Sequence, residues 1–151
     1  MSRRITHTKG AVTGLPLPRF ASLRADTVNV RRGPGTRYPI EWVFKRRHLP
    51  VIIVREFENW RLIRTMDRVE GWVHTALLTG RRSFIVGSKR VYLYRRPQPE
   101  SRRVAALDPG VIGRFVHCAQ NDSWCQAEAA GHRGYMLRSS VWGSEPGELV
   151  N

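Results

Sequence analysis

Long apolar runs are missing from this sequence of 151 residues. No segment approaches the ~20 consecutive apolar residues that a membrane helix needs, so the sequence predicts no integral membrane segment. The first ten residues also lack the apolar stretch of a secretion signal. The protein is therefore either cytoplasmic, or periplasmic or secreted with a signal segment that lies outside this sequence.

Motifs of catalysis are missing as well. The five histidines are scattered, and Ser83, Ser139 and Ser140 lie outside any nucleophile-elbow sequence. The glycine-rich segment 33–35 is not a phosphate-binding loop, because no Lys-Ser or Lys-Thr pair follows it. The acidic residues can supply two neighbouring carboxylates, but a small barrel offers little cleft to desolvate them. We therefore predict that the protein is not an enzyme and needs no cofactor.

The only cysteines are Cys118 and Cys125. They enclose a polar sequence typical of a turn, which would place them opposite each other on adjoining strands and allow a disulfide. Two reduced, buried thiols explain the same pattern, so both alternatives stay open; a disulfide would indicate an oxidising compartment. His117 and His132 lie nearby, but a structural zinc site needs four ligands at closer spacing. We predict no metal.

Acidic residues and lysines are few. The chain has 26 basic residues, of which only three are lysines, against 12 acidic ones, and its formal net charge is +14. Such a charge attracts polyanions over about 8 Å at physiological salt. Nucleic acid, an anionic lipid surface and an acidic wall polymer all fit as partners. The arginines occur as scattered pairs and form no single block, which also fits a role in solubility alone.

The sequence repeats itself at a constant interval. The segment 70–80, Glu-Gly-Trp-Val-His-Thr-Ala-Leu-Leu-Thr-Gly, returns at 134–143 as Gly-Tyr-Met-Leu-Arg-Ser-Ser-Val-Trp-Gly, with Gly134 in the place of Gly71. In both copies a glycine permits close backbone approach and an aromatic residue follows it. The interval from Trp60 to Trp124 is one residue longer than the interval from Gly71 to Gly134, a shift that a loop insertion explains. The pattern predicts a duplicated unit of about 60 residues.

Short strand-like segments separated by polar turns predict an all-β fold. Residues 75–78 fit one 3₁₀ turn. The segment 84–86 is too apolar for a free tether, so we expect the two units to pack together. The predicted boundaries are a flexible leader at 1–19, domains at 20–80 and 81–145, and a fraying tail at 146–151. The predicted strands are 27–31, 42–44, 51–54, 60–64 and 71–74 in the first copy, and 91–94, 104–107 and 111–118 in the second.

Three ordered motifs of the first copy resemble bacterial SH3 (Src-homology-3) domains. They are Val-Asn-Val-Arg-Arg-Gly-Pro-Gly-Thr-Arg-Tyr-Pro at 28–39, Asn59-Trp60 before a strand, and Glu-Gly-Trp-Val-His at 70–74. The second copy resembles the family through Trp124 and Gly134-Tyr135, and its front motif departs from the pattern. The resemblance implies two tandem SH3-like β-barrels of about five short strands each, without catalytic machinery.

The resemblance also implies a function. Members of the family are commonly attached to the bacterial envelope, and some bind wall peptides. We therefore expect a non-catalytic module, periplasmic or secreted, that recognises a cell-wall (peptidoglycan) peptide or an envelope protein. A basic β-barrel that binds nucleic acid or another anionic polymer is the alternative, and the oligomeric state stays open.

Aromatic and basic side chains are the candidate ligand-binding residues. The resemblance implies that Trp60 and Trp124 stand where related domains line a peptide groove with tryptophan. Both follow polar turn residues, which fits a rim aromatic as well as a core residue. Trp42 and Trp72 lie in apolar strands and are predicted to be core residues. Four further candidates are Tyr38 and Tyr92 as rim aromatics, Arg31 as a partner for a ligand carboxylate or for loop carbonyls and Asp26, and His74 as a strand-end histidine or a source of pH-dependent binding.

Overall fold

The computed structural model describes residues 6–151, which form two compact units that divide between Arg81 and Arg82. Both units are all-β, as predicted. The helical residues of the described chain are two 3₁₀ turns, Thr75–Leu77 and Arg138–Ser140. Each turn follows the equivalent strand of its unit, so the repeat extends to local structure.

The first unit contains a seven-stranded antiparallel sheet and a separate two-stranded hairpin. Its strands are β1 (Thr8–Lys9), β2 (Pro16–Leu17), β3 (Arg19–Leu23), β4 (Val28–Arg31), β5 (Ile40–Phe44), β6 (Pro50–Phe57), β7 (Trp60–Arg64), β8 (Glu70–His74) and β9 (Leu78–Thr79). The spatial order of the sheet is β5-β4-β8-β7-β6-β3-β9, and β1 pairs with β2.

The second unit contains one seven-stranded antiparallel sheet. Its strands are β10 (Ser83–Val86), β11 (Val91–Tyr94), β12 (Arg103–Leu107), β13 (Ile112–Cys118), β14 (Trp124–Ala129), β15 (His132–Leu137) and β16 (Val141–Trp142). Their order, β12-β11-β15-β14-β13-β10-β16, repeats that of the first sheet element for element.

Strand register confirms the duplication. Val28 pairs with Phe44 in the first unit, and Val91 pairs with Leu107 in the second, with both partners displaced by the repeat interval. Arg31 opposite Trp72 likewise corresponds to Tyr94 opposite Tyr135. Each of these β4–β5 and β11–β12 ladders also carries an irregularity at the same step.

The repeated glycine is required by close backbone approach, as the sequence predicted. A Cβ atom at Gly71 would lie 2.2 Å from Cγ1 of Val30, and one at Gly134 would lie 2.8 Å from the carbonyl oxygen of Tyr94. Both distances are far below ordinary carbon contacts, so a side chain would force the strands apart.

Alternating side chains build a separate hydrophobic core in each unit. In the first unit Val28, Val30, Ile63 and Val73 are fully buried, with their strand neighbours on the opposite face. In the second unit the apolar segment 83–86 is strand β10, buried in its own sheet. Burial inside this unit therefore accounts for the apolar run that had suggested contact between units.

The prediction that Trp42 is a core residue is wrong. Trp42 lies on β5, at the end of the strand order, and its side chain is 50 % exposed. An edge strand has a neighbour on one side only, so an apolar residue on it need not be covered. Trp72, on the central strand β8, is half-buried.

The prediction of a flexible leader at 1–19 is wrong for residues 8–19. The hairpin of β1 and β2 places Leu17 in the first core, and residues from Arg19 form β3. The hairpin loop docks on the buried carboxylate of Glu56, whose side chain is 0 % exposed. Glu56 accepts hydrogen bonds from the main-chain N–H groups of Val12 and Thr13, at 3.0 and 2.9 Å. Nearly every residue has a main-chain N–H group, so the sequence does not show which of these groups donate to Glu56. The leader is therefore easily taken for an unstructured segment.

Glu56 is ionised in this setting. Burial alone would raise its pKa, but hydrogen bonds from Thr13 and Val12, together with Arg19, outweigh burial and lower the pKa to about 2. Arg19 lies 2.9 Å and Arg61 3.8 Å from the carboxylate. The buried charge is thus matched by guanidinium groups and by N–H donors.

The prediction of a fraying tail at 146–151 is also wrong. Val150 is 2 % exposed, and its N–H and carbonyl groups bond to the main chain of Cys118. The buried guanidinium of Arg138 donates to the carbonyl oxygens of Asp122, Ala119, Glu145 and Glu148. One side chain therefore ties the tail to the turn between β13 and β14.

Cys118 and Cys125 form a disulfide. They face each other across the β13–β14 ladder with their Cα atoms 4.4 Å apart, within the range that a disulfide spans. Of the two alternatives left open by the sequence, the structure has the bridge.

Candidate functional site

A row of three aromatic side chains crosses the outer face of the first sheet. Phe57 on β6 pairs with Trp60 on β7, and Trp60 pairs with His74 on β8. The Trp60 and His74 rings meet edge to face, with centroids 5.3 Å apart. Phe57 is 50 % exposed, and Trp60 and His74 are half-buried. We call Phe57, Trp60 and His74 the aromatic row.

The position of His74 is fixed by local structure. It ends β8 and caps the 3₁₀ turn, where its Nδ1 accepts a hydrogen bond from the N–H of Ala76 at 3.0 Å. An accepting Nδ1 carries no proton, so Nε2 is the nitrogen that holds one in the neutral ring. His74 therefore presents a donor beside the Trp60 ring.

A second row of side chains runs beside the aromatic row. Arg55 pairs with Leu62, Leu62 with Trp72, and Trp72 with Arg31. The Arg55 guanidinium lies 6.0 Å from the centroid of the Trp72 ring, at the limit of a cation–π contact. The face therefore presents aromatic rings together with the guanidinium group of Arg55, which is an exposed residue.

Arg31 acts on the loop between β4 and β5. Its Nη1 donates to the carbonyl oxygens of Thr36 and Tyr38, at 3.0 and 2.9 Å. This matches the loop-capping alternative, except that Asp26 pairs with Arg47 at 3.3 Å. The capped loop holds Tyr38 in place.

The Tyr38 ring is sandwiched locally. It packs on Gly33, where a Cβ atom would lie 2.5 Å from the ring. The Arg37 guanidinium lies 4.9 Å from the ring centroid and donates to the phenol oxygen at 3.0 Å. The structure thus brings Arg31 together with Tyr38, and Trp60 together with His74. Arg31 also pairs with Trp72 on β8, the strand that carries His74, and this pair connects the two groups.

The equivalent face of the second unit has different side chains. Trp124 pairs with Leu137, which stands in the position of His74. Its ring meets that of Tyr94 at 5.8 Å, edge to face. Tyr92 lies on the same face of β11 as Tyr94, under the guanidinium of Arg103 at 3.8 Å. The ring of Trp124 thus contacts Tyr94, whereas that of Tyr92 contacts Arg103.

Sequence reasoning missed three residues of these faces. Phe57 lies between the predicted strands 51–54 and 60–64, whereas β6 runs through it. Arg55 carried no motif. Tyr94 follows Tyr92 at the alternate position and stands at the repeat interval from Arg31, and this signal could have placed it on the outer face.

Metal ligands do not cluster in the described part of the chain. Among residues 6–151 no three His, Cys, Asp or Glu side chains are grouped so that they would hold a metal ion. No helix of the described residues has the length and apolar character needed to cross a membrane.

The chain belongs to the bacterial SH3 domain family. The family model matches twice, over residues 24–80 and 87–143, and these two ranges are separated by the same interval as the sequence repeat. The protein is thus a tandem pair of bacterial SH3 domains, and the second copy matches despite its different front motif.

Comparison with solved structures finds distant likenesses. The structure of NlpC2 from Trichomonas vaginalis is 12 % identical, with a TM-score of 0.37, over 83 % of this chain and 48 % of that chain. The structure of NlpC1 from Trichomonas vaginalis is 12 % identical, with a TM-score of 0.38, over 93 % of this chain and 51 % of that chain. The chain thus spans about half the length of these two proteins. No curated protein matches its sequence.

Proposed function

We propose that this protein is a non-catalytic binding module of the bacterial cell envelope, which recognises a wall peptide or an envelope protein on the outer face of its first unit. The observation that carries the proposal is the aromatic row, in which Phe57 is half-exposed and Trp60 and His74 are in ring contact. Aromatic rings give large contact area at low conformational cost and commonly dominate recognition.

The chemistry of the face suits a ligand that carries both flat, weakly polar groups and carboxylates. The rings would stack on peptide or sugar faces, and Arg55 lies next to them in the adjoining row. An arginine binds a carboxylate through two parallel hydrogen bonds, which adds orientation to the contact. Wall peptides carry free carboxylates, so the two rows together match that class of ligand.

Binding rather than catalysis also fits the state of the buried carboxylate. A general acid needs a pKa near the working pH. Glu56 has its pKa lowered to about 2 by hydrogen bonds that outweigh its burial, and it holds the leader hairpin. Its role is therefore structural.

An extracytoplasmic location is part of the proposal. The Cys118–Cys125 disulfide supports it, because such bonds persist in oxidising compartments and are rare in the cytosol. The mass of the protein isolated from its native cells after thiol trapping tests this point. Two trapped thiols on Cys118 and Cys125 would favour the cytoplasmic alternative.

Co-sedimentation with purified cell wall tests the proposed ligand. The wild-type protein is expected to be retained, and Trp60→Ala to bind at least about tenfold more weakly, since truncating a hot-spot aromatic costs about 2 kcal/mol or more. Leu15→Ala is the matched control, because Leu15 is a half-exposed apolar residue of the same unit outside the aromatic row. Equal retention of wild type and Trp60→Ala, or no retention of wild type, would refute the proposal.

Nucleic-acid binding is the second candidate function. The observations in its favour are the net charge of +14 and three guanidinium groups placed over aromatic rings, Arg37 on Tyr38, Arg55 on Trp72 and Arg103 on Tyr92. Single strands bind to such surfaces by stacking and phosphate contacts. Affinity for single-stranded DNA that falls steeply with salt would support this function. Weak binding that salt leaves unchanged would remove it.

A further inference from the structure

We propose that the outer edge of β5 is a docking site for an extended acidic polypeptide, which adds to the first sheet as a further strand. β5 stands at the end of the strand order. Within residues 6–151 it pairs with β4 alone. Alternate N–H and C=O groups of such an edge strand point outward and offer a template for another chain.

The side chains of β5 favour a partner on both faces of the strand. Ile40, Trp42 and Val43 are 45, 50 and 47 % exposed. Trp42 pairs with the buried Val30, whereas Val43 pairs with the exposed Asn29, so apolar surface is open on either side of the sheet. Natural edge strands are usually blunted by charges or proline, and this strand has one charged residue, Glu41.

The second unit supplies an internal comparison. The register places Arg103, Ala105 and Ala106 of β12 where Ile40, Trp42 and Val43 stand on β5. The Arg103 guanidinium folds over the Tyr92 ring at 3.8 Å. The edge of the second sheet is therefore blunted by small residues and a charge. Of the two units, the first has large exposed apolar side chains at these positions, and the second does not.

Charge selects the chemistry of the partner. The segment 31–47, which contains β5 and its flanks, carries six basic residues and one acidic residue. The acidic residue, Glu41, is paired with Arg32 at 2.8 Å, and Lys45 is exposed at the end of the strand. The net charge of +14 opposes pairing of β5 with a second copy of the chain and attracts an acidic segment.

The length of β5 sets the size of the docked segment. Its five residues span about 17 Å, so a partner strand of about five residues fills the edge. β4 lies between β5 and β8, which carries His74, and β8 lies between β4 and β7, which carries Trp60. The docking site therefore uses none of the residues of the aromatic row.

A short peptide of alternating valine and glutamate is the probe. Titrated into isotope-labelled full-length protein, it is expected to shift the amide resonances of 40–44 and to slow their hydrogen exchange. Trp42→Ala/Val43→Ala places on β5 the alanines that β12 has at the equivalent positions, Ala105 and Ala106. This double variant is expected to weaken binding at least about tenfold. Lys45→Glu is expected to weaken it several-fold without altering the strand. Leu15→Ala, equally exposed in the same unit, serves as the control.

The outcomes separate the partners. Failure of the peptide to bind, equal affinity in the double variant, or equal binding of a valine-lysine peptide would each overturn the proposal. Sedimentation of the protein over a dilution series tests whether it forms a dimer through this edge. A dimer that disappears in Trp42→Ala/Val43→Ala would show that a second copy occupies the edge, and would overturn the assignment to an acidic partner.

Discussion

The two units place different chemistry at the same point of the same sheet. In the β6–β7 ladder the second pair beyond the bulge is Glu56 opposite Arg61, and in the β13–β14 ladder it is Cys118 opposite Cys125. The first unit therefore has a buried ionic contact where the second has a covalent bond. In both units an additional segment attaches at this point, the leader hairpin in the first and the tail in the second.

The difference lies in how many tasks one group performs. Glu56 contacts Arg61 on the neighbouring strand and also binds the N–H groups of the leader loop. In the second unit the disulfide links the strands, whereas Arg138 binds the carbonyls of the tail. A unit of about 60 residues buries only ~60% of the surface that its unfolded chain exposes, a smaller share than in a larger domain, and an added segment compensates for this. In the first unit Glu56 makes both of these contacts, and in the second unit they are divided between the disulfide and Arg138.

The outer faces diverge as well. At the far end of the face the first unit pairs Arg64 with Glu70, and the second pairs Glu128 with Arg133, which reverses the charges. Trp72 and Arg31 of the first unit become Tyr135 and Tyr94. Duplication has kept the register of the backbone while the exposed side chains changed, so the two faces are expected to select different ligands.

Glu56→Ala should have the largest effect on this comparison. It leaves Arg61 buried without its carboxylate and removes the acceptor of the leader loop, so we expect the first unit to lose about 3 to 5 kcal/mol of unfolding free energy. Native-state hydrogen exchange of β6 and β7 measures the loss. Glu70→Ala removes an exposed carboxylate of the same unit and should cost below about 1 kcal/mol. Equal losses in both variants would contradict the central role of Glu56.

The dependence of stability on pH should differ when Glu56 is neutralised. The folded pKa of about 2 lies below the ordinary value of 4.5, so the carboxylate stabilises the folded unit at higher pH. This contribution, about 3 kcal/mol, is expected to be fully present above about pH 5 and to be lost as the pH falls through about 2. Unfolding free energies of wild type and Glu56→Gln, measured over this range, should converge in acid. A constant difference between them would rule out the linkage.

The sequence predicted the parts of the fold that depend on side-chain alternation. Trp60 to Arg64 is a strand with the predicted bounds, and Val28 to Arg31 begins one residue later than predicted, because buried and more exposed residues alternate along both segments. The interval of the sequence repeat predicted which residues of the two units are equivalent. The tandem family match and the all-β architecture followed from these two signals.

The errors arose where main-chain groups or strand order decide the structure. The leader binds Glu56 through N–H groups that any residue possesses. The exposure of Trp42 follows from the place of β5 in the sheet, which alternation does not reveal. Phe57 lies outside the predicted strands, which leave residues 55–59 between them. In the structure Glu58 adopts a positive φ of 49°, so Glu58 and Asn59 alone close the hairpin.

Removal of the disulfide tests the same comparison between the units and has the smallest expected effect. Cys118→Ser/Cys125→Ser frees a short loop of the unfolded chain, so the second unit should lose about 2 kcal/mol. The tail should stay attached, because Arg138 still binds the carbonyls of Glu145 and Glu148. Hydrogen exchange at Val150 measures attachment, and β7 amides of the first unit serve as the internal control. If Val150 exchanged as freely in this variant as the leader does in Glu56→Ala, the division of tasks in the second unit would be wrong, and the disulfide would hold strand and tail together as Glu56 does in the first.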